Sequence, residues 1–148
     1  MSTEPLVCII DDEEAIRESL RLLLFAGDLN SVSYSSADAF LAEENPPPLD
    51  CMLLDIRMPG MDGLELFRVL RKQGGAYPVI FITGHGDIPL AVNAIKQGAF
   101  DFLTKPFGEG ELLEKVRAAI GEYRAERAQF EELREIRERF ASCTPREQ

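Results

Sequence analysis

The sequence is poor in the residues that staple or anchor a chain. It holds three cysteines, Cys8, Cys51 and Cys143, an odd count with no CxxC spacing. Neither a disulfide framework nor a zinc site follows from that pattern. Cys8 and Cys51 sit inside apolar runs, where a free thiol behaves as a small hydrophobe. Histidine occurs once, as His85. Long apolar runs are missing: nothing approaches the roughly 20 residues that cross a bilayer. The opening MSTEPLVCII has no basic region, and its apolar stretch is too short for a signal peptide. Positive charge is scarce as well. Sixteen Lys and Arg face 26 Asp and Glu, a formal net charge of −10. Most of such a surface repels nucleic acid, which disfavours DNA binding by this portion alone. The expected setting is reducing and cytoplasmic, with no membrane segment.

What is present is globular material: 148 residues, 45% hydrophobic and 28% charged. That suffices for one well-buried core and is too little for two ordinary domains. Short apolar runs alternate with amphipathic stretches to about residue 120. Residues 6–10, 31–34, 51–54, 79–82 and 100–103 read as strands. Between them the spacing predicts helices over 13–26, 64–70 and 88–96, the last closed by Gly98. Another helix, capped by Ser36 or Asp38, carries Ala39, Phe40 and Leu41 and is broken by Pro46-Pro47-Pro48. Strands apolar along their whole length are buried on both faces. The alternation therefore predicts a doubly wound α/β domain, a five-stranded parallel sheet with right-handed crossovers and helices on both sides.

A fifth helix begins near Glu109 and outruns what one domain face needs. Leu112, Leu113, Val116 and Ile120 suit packing on the sheet. The apolar pattern then continues through Tyr123, Phe130, Leu133, Ile136 and Phe140, with charges crowded between. Positions 116, 123, 130 and 137, with 119, 126, 133 and 140 beside them, keep a seven-residue spacing that Glu126 and Arg137 interrupt. A dimerising coiled coil and a solvated linker helix both fit. The expected division is a folded domain over 5–122 and a helical linker over 123–140.

On this frame Asp11 and Asp12 follow the first strand and Asp55 ends the third. Thr83 ends the fourth, and Lys105 follows the fifth. All five lie at the carboxyl edge of a parallel sheet, where open α/β folds bind ligands. If the strands are ordered 2-1-3-4-5, the first and third are neighbours and the three aspartates share one crevice. Clustered carboxylates repel one another unless a cation neutralises them. Oxygen-only ligands suit Mg²⁺ or Mn²⁺. A carboxylate beside such an ion can attack phosphorus and form an aspartyl phosphate. The Lys105 ammonium would compensate one phosphoryl oxygen, and the Thr83 hydroxyl would donate to another. As scattered surface charges, Asp12, Asp55 and Lys105 would have no reason to recur at strand ends.

The motifs VCIIDDEE, LLDIRMPGMDGLEL, ITGHGD and DFLTKPF, in this order and each at a strand end, together resemble the CheY-like receiver domain of two-component response regulators, over roughly residues 5–122. Singly each motif is commonplace; their joint order is specific. The resemblance implies the strand order 2-1-3-4-5. It assigns Asp55 as the phosphoacceptor and Asp11 and Asp12 as the acidic pair that holds the metal, Asp11 through a water. Arg57 would lend the metal a backbone carbonyl. Thr83 and Lys105 match the phosphate-sensing hydroxyl and lysine, Phe102 the aromatic switch position, and the Lys105-Pro106 bond is expected to be cis. The implied partners are a sensor histidine kinase and, on phosphorylation, a second copy of the chain. The implied output is a conformational switch, so no enzyme activity is expected beyond phosphorylation and dephosphorylation of its own aspartate. The stretch TGHGDIPLAVNAIKQGAFDFLTKPF resembles the FixJ-type subgroup. Ser142-Cys143-Thr144-Pro145-Arg146-Glu147 resembles the opening of a LuxR-type helix-turn-helix domain. Residues 141–148 are thus expected to begin a DNA-binding domain, through which alone DNA would be contacted.

Other residues have plainer readings. Asp62, in GMDGLEL, is expected to shape the turn or cap the next helix, and Gly60 and Gly63 suit positive φ there. His85 is expected to be a solvated loop residue and the Arg57 side chain to be exposed; the resemblance to receivers implies that both face the mouth of the site. Two other function classes stand against the switch. A Mg²⁺-dependent phosphohydrolase of the haloacid-dehalogenase type needs a second aspartate two residues past its nucleophile, where Arg57 stands. A non-phosphorylated α/β interaction module would make the acidic crevice incidental.

Overall fold

A computed structural model of the chain describes residues 4–143. Strands β1 (Leu6–Ile10), β2 (Asn30–Tyr34), β3 (Cys51–Asp55), β4 (Val79–Thr83) and β5 (Asp101–Thr104) form one parallel sheet. Their order is β2-β1-β3-β4-β5. Helices α1 (Glu14–Ala26), α2 (Ala37–Leu41), α3 (Gly63–Lys72) and α4 (Ile88–Lys96) fill the crossovers, and α5 (Glu109–Cys143) follows β5. A 3₁₀ turn, His85–Asp87, leads into α4. The expected elements are all present, with ends that differ by a few residues. Asn30 and Asp101 join strands because ladder pairing with β1 and β4 sets a strand's extent, whatever the side chain. Phe100 falls just outside β5 for the same reason.

Alternate strand residues feed two cores. Cys8, Ile10, Met52, Leu54 and Phe81 pack with Phe40 of α2, Leu66 and Phe67 of α3, and Ala91 of α4. Val7, Ile9, Leu53, Ile80 and Ile82 pack on the opposite face with Leu20 and Leu24 of α1 and with Leu112 and Val116 of α5. Each fully buried aliphatic side chain contributes about 1.5–3 kcal/mol relative to exposure. Cys8 and Cys51 are buried free thiols, and burial pushes Cys51 up to about 12, so both serve as packing.

The turn after β3 depends on two local devices. Asp62 caps α3: its carboxylate accepts from the Glu65 amide at 2.9 Å, and the Glu65 carboxylate accepts from the Asp62 amide at 3.0 Å. Gly60 has the positive φ expected of it, 76°. Gly63 does not, and its requirement is closeness instead. A Cβ at Gly63 would lie 2.2 Å from the Asp55 carbonyl oxygen, because the Gly63 amide draws the start of α3 onto the Ile56 carbonyl at 2.9 Å.

Helix α5 has 35 residues, about 50 Å of helix. Its first turns cover the sheet. At the amino edge the Arg124 guanidinium then donates to both Asp50 oxygens, at 2.8 and 3.2 Å, and Asp50 also accepts from the Leu6 amide at 3.0 Å. Burial raises the Asp50 carboxyl, yet these bonds hold it below its ordinary range. From residue 125 to residue 139 every side chain is exposed, including Phe130, Leu133 and Ile136. The helix runs to Cys143, into the expected start of a further domain, and residues 144–148 of that segment lie outside the described residues.

Substituting Gly63→Ala forces β3 and α3 apart, and is expected to destabilise the fold by about 3 kcal/mol. The check is urea unfolding; an unchanged midpoint would show that the approach is not limiting.

Candidate functional site

Strand register assembles the site. Ile10 pairs with Leu54, so the residues that follow, Asp11 and Asp55, leave neighbouring strands at one level. Asp55 pairs with Ile82 and Thr83 with Thr104, which brings Thr83 and Lys105 to the same edge. The Lys105 amide donates to the Thr83 carbonyl at 2.8 Å, and the Lys105-Pro106 bond is cis as expected.

Asp11, Asp12 and Asp55 each present a carboxylate oxygen within 4.8 Å of the others. Asp11 and Asp55 are buried, at 1% and 6% exposure, and Asp12 is exposed. The Lys105 ammonium stands 3.5 Å from Asp11, 3.8 Å from Asp55 and 3.9 Å from Glu13. These are ion-pair rather than hydrogen-bond distances. One positive charge is shared among several negative ones. Burial first, and then the Asp11 charge, push the Asp55 carboxyl up to about 6, against the pull of Lys105 and the Arg57 amide. Burial likewise raises Asp11, against the Glu13 amide and Lys105.

Asp11 Oδ1 accepts from the Glu13 amide at 2.9 Å. Its Oδ2 is buried with no hydrogen-bond partner, a costly condition for a carboxylate. A hard divalent cation, directly or through one of its bound waters, would satisfy that oxygen and relieve the crowding. The all-oxygen donor set fits Mg²⁺ or Mn²⁺.

The remaining expected residues lie around this cluster. Thr83 is buried, and its hydroxyl donates to the Gly84 carbonyl at 3.0 Å. Phe102 is half-buried against the core that holds Phe81 and Ala91. The Arg57 side chain is exposed and makes a two-pronged contact with Asp87, at 2.9 and 2.7 Å. His85 is exposed. Asp62 is committed to capping and does not join the cluster. Sequence reasoning missed Glu13 as a neighbour of Lys105 and Asp87 as the partner of Arg57. The DDEE run hinted at the first. Nothing in the local pattern marks the second, since Arg57 and Asp87 lie 30 residues apart.

Residues 7–117 match the family model described as the response regulator receiver domain. The chain is 44% identical over 142 residues to the response regulator protein TodT of Pseudomonas putida, covering 96% of this chain and 63% of that protein. It is 43% identical over 141 residues to the transcriptional regulatory protein FixJ of Azorhizobium caulinodans, covering 95% of this chain and 67% of that one. Among solved structures it resembles the response regulator StyR with a TM-score of 0.87 at 38% identity, over 97% of this chain and 73% of StyR. The chain thus spans less than two thirds of the length of TodT.

The raised Asp55 value has a consequence for stability. The folded chain holds a proton that the unfolded chain releases between the ordinary 3.8 and about 6. The contribution of this group is therefore fully present below pH 3.8 and is lost as pH rises through 6. Near neutral pH and without divalent cation, Asp55→Asn is expected to be more stable than wild type by about 1–3 kcal/mol. Toward pH 4 the difference should fade. Thermal melts in EDTA at both pH values measure it, and an Asp55→Asn chain no more stable near neutrality would contradict the crowding.

Proposed function

This chain belongs to the response regulator receiver family, and within it we propose that Asp55 accepts a phosphoryl group whose arrival is relayed as a conformational change to a transcriptional output. The observation that carries this reading is the buried Asp55 carboxylate, set between two other aspartates with the Lys105 ammonium 3.8 Å away. The donor is the phosphohistidine of a sensor histidine kinase or a small phosphodonor, and the reaction belongs in the cytoplasm.

Asp12, Asp55 and the Arg57 carbonyl would hold Mg²⁺ or Mn²⁺, with Asp11 acting through a water. When bound, the ion neutralises charge on the carboxylates and on the phosphoryl oxygens. An Asp55 oxygen forms a bond to phosphorus as the bond from phosphorus to the donor's imidazole nitrogen breaks, the electron pair leaving with that nitrogen. Lys105 offsets the charge on a phosphoryl oxygen. The Thr83 hydroxyl gives up the Gly84 carbonyl and donates to another. Phe102 rotates into the space Thr83 leaves, and the face of α4 and β5 is remodelled. The chemistry stays confined to the chain's own aspartate, with Arg57 standing where a phosphohydrolase would need its acid.

The output rests on the long helix. Exposed Phe130, Leu133 and Ile136 support pairing of α5 with a second copy once the receiver is phosphorylated. DNA would be reached through a further domain, since this portion carries a net charge of −10.

Acetyl phosphate with Mg²⁺ is expected to give an acid-labile, Phos-tag-retarded species in wild type and none with EDTA. An Asp55→Asn chain that still acquires it would remove the assignment. Sedimentation with and without beryllofluoride should show a monomer becoming a dimer, and Leu133→Glu should reduce the dimer about tenfold. A dimer untouched by Leu133→Glu would place the contact elsewhere.

A further inference from the structure

An ion pair that the phosphoryl-transfer scheme does not use joins the loop after β3 to the turn before α4. Arg57 stands two residues past Asp55, in the loop leading to α3, and Asp87 ends the 3₁₀ turn before α4. The guanidinium donates through Nε to Asp87 Oδ2 at 2.9 Å and through Nη2 to Oδ1 at 2.7 Å. The Arg57 side chain is 73% exposed, whereas that of Asp87 is 13% exposed. The carboxylate is therefore largely covered, and the exposed cation reaches over to it.

Asp87 is also bonded to the switch itself. Its amide donates to the Gly84 carbonyl at 3.1 Å, the same oxygen that accepts the Thr83 hydroxyl at 3.0 Å. A continuous chain of contacts thus runs from Arg57 through Asp87 and Gly84 to Thr83. Little else restrains the turn. Gly84, His85 and Gly86 are exposed, and a Cβ on either glycine would meet nothing within 4 Å.

Given the reading of Asp55 as phosphoacceptor, on which this step rests, we propose that the Arg57–Asp87 pair is a latch on the β4–α4 loop. It holds the turn in the arrangement where Thr83 is satisfied by Gly84, so its opening is part of what phosphorylation must drive. Arg57 and Asp87 act as positioning residues through Thr83, and neither needs to touch phosphorus. An ion pair at the surface with an exposed guanidinium is weak, so the latch tunes the equilibrium by a small factor rather than blocking it.

The test is titration of beryllofluoride into Mg²⁺-loaded wild type, Asp87→Asn, Arg57→Gln and the double variant, with Mg²⁺ affinity measured separately. The latch predicts that Asp87→Asn tightens beryllofluoride binding about two- to fivefold and leaves Mg²⁺ affinity unchanged. It also predicts that Asp87→Asn adds nothing in the Arg57→Gln background, where the loop is already released. A simple loss of negative charge near an anion would give the same gain in both backgrounds, and that result overturns the latch. Equal or weaker binding by Asp87→Asn overturns it too. Failure of wild type itself to bind beryllofluoride would overturn the phosphoacceptor reading, and the latch with it.

Discussion

Asp11, Asp12 and Asp55 repel one another across the gap between β1 and β3, and the residues around that gap are placed to withstand the repulsion. Lys105 is brought in from β5 and stands within 3.9 Å of three carboxylates. Burial first, and then the Asp11 charge that Lys105 cannot fully offset, keep the Asp55 carboxyl raised to about 6. A site in this condition gains from a divalent cation and from a ligand that brings oxygens to share it. The same crowding that weakens the fold at neutral pH makes the site receptive. Binding and stability are therefore linked through one cluster of charges.

A phosphorylation switch needs a group that can be satisfied in two ways. In the proposed switch Thr83 would be that group: it is buried at the end of β4, and its hydroxyl donates to the Gly84 carbonyl. The loop after it is restrained lightly, by glycines in open space and one surface ion pair. The opposite edge of the sheet is built otherwise. There Asp50, Arg124 and the Leu6 amide fasten α5 to β1 and β3 through bonds of 2.8 to 3.2 Å. A loose carboxyl edge and a fastened amino edge suit a domain that senses at one end and holds a long helix at the other.

The fold was legible because strands buried on both faces must be apolar throughout, and helices covering them must be apolar on one side. Those patterns placed every strand and helix within a few residues. The misreadings were local. Gly63 was read as a positive-φ residue, but its backbone lies against the Asp55 carbonyl. That requirement comes from the packing of α3 on β3 and leaves no mark in turn chemistry. The site was legible where its members sit at strand ends, as Asp11, Asp12, Asp55, Thr83 and Lys105 do. Asp87, Glu13 and the Asp50–Arg124 pair were not, since in a sequence a carboxylate reads the same whether or not it has a partner.

What the sequence determined by itself was which residues arrive at the carboxyl edge. Period and polarity decide where strands end, and a parallel sheet sends all its strand ends the same way. What only the tertiary structure decided was which of those residues meet and how they are satisfied. Register set Asp11 beside Asp55, the turn before α4 swung Asp87 onto Arg57, and burial left one Asp11 oxygen without a hydrogen-bond partner. Pair energies and desolvation depend on distances between residues far apart in the chain, and those distances exist only once the sheet has formed. Asp55 is therefore an acid like 25 others in the composition, and a poised one only in the folded crevice.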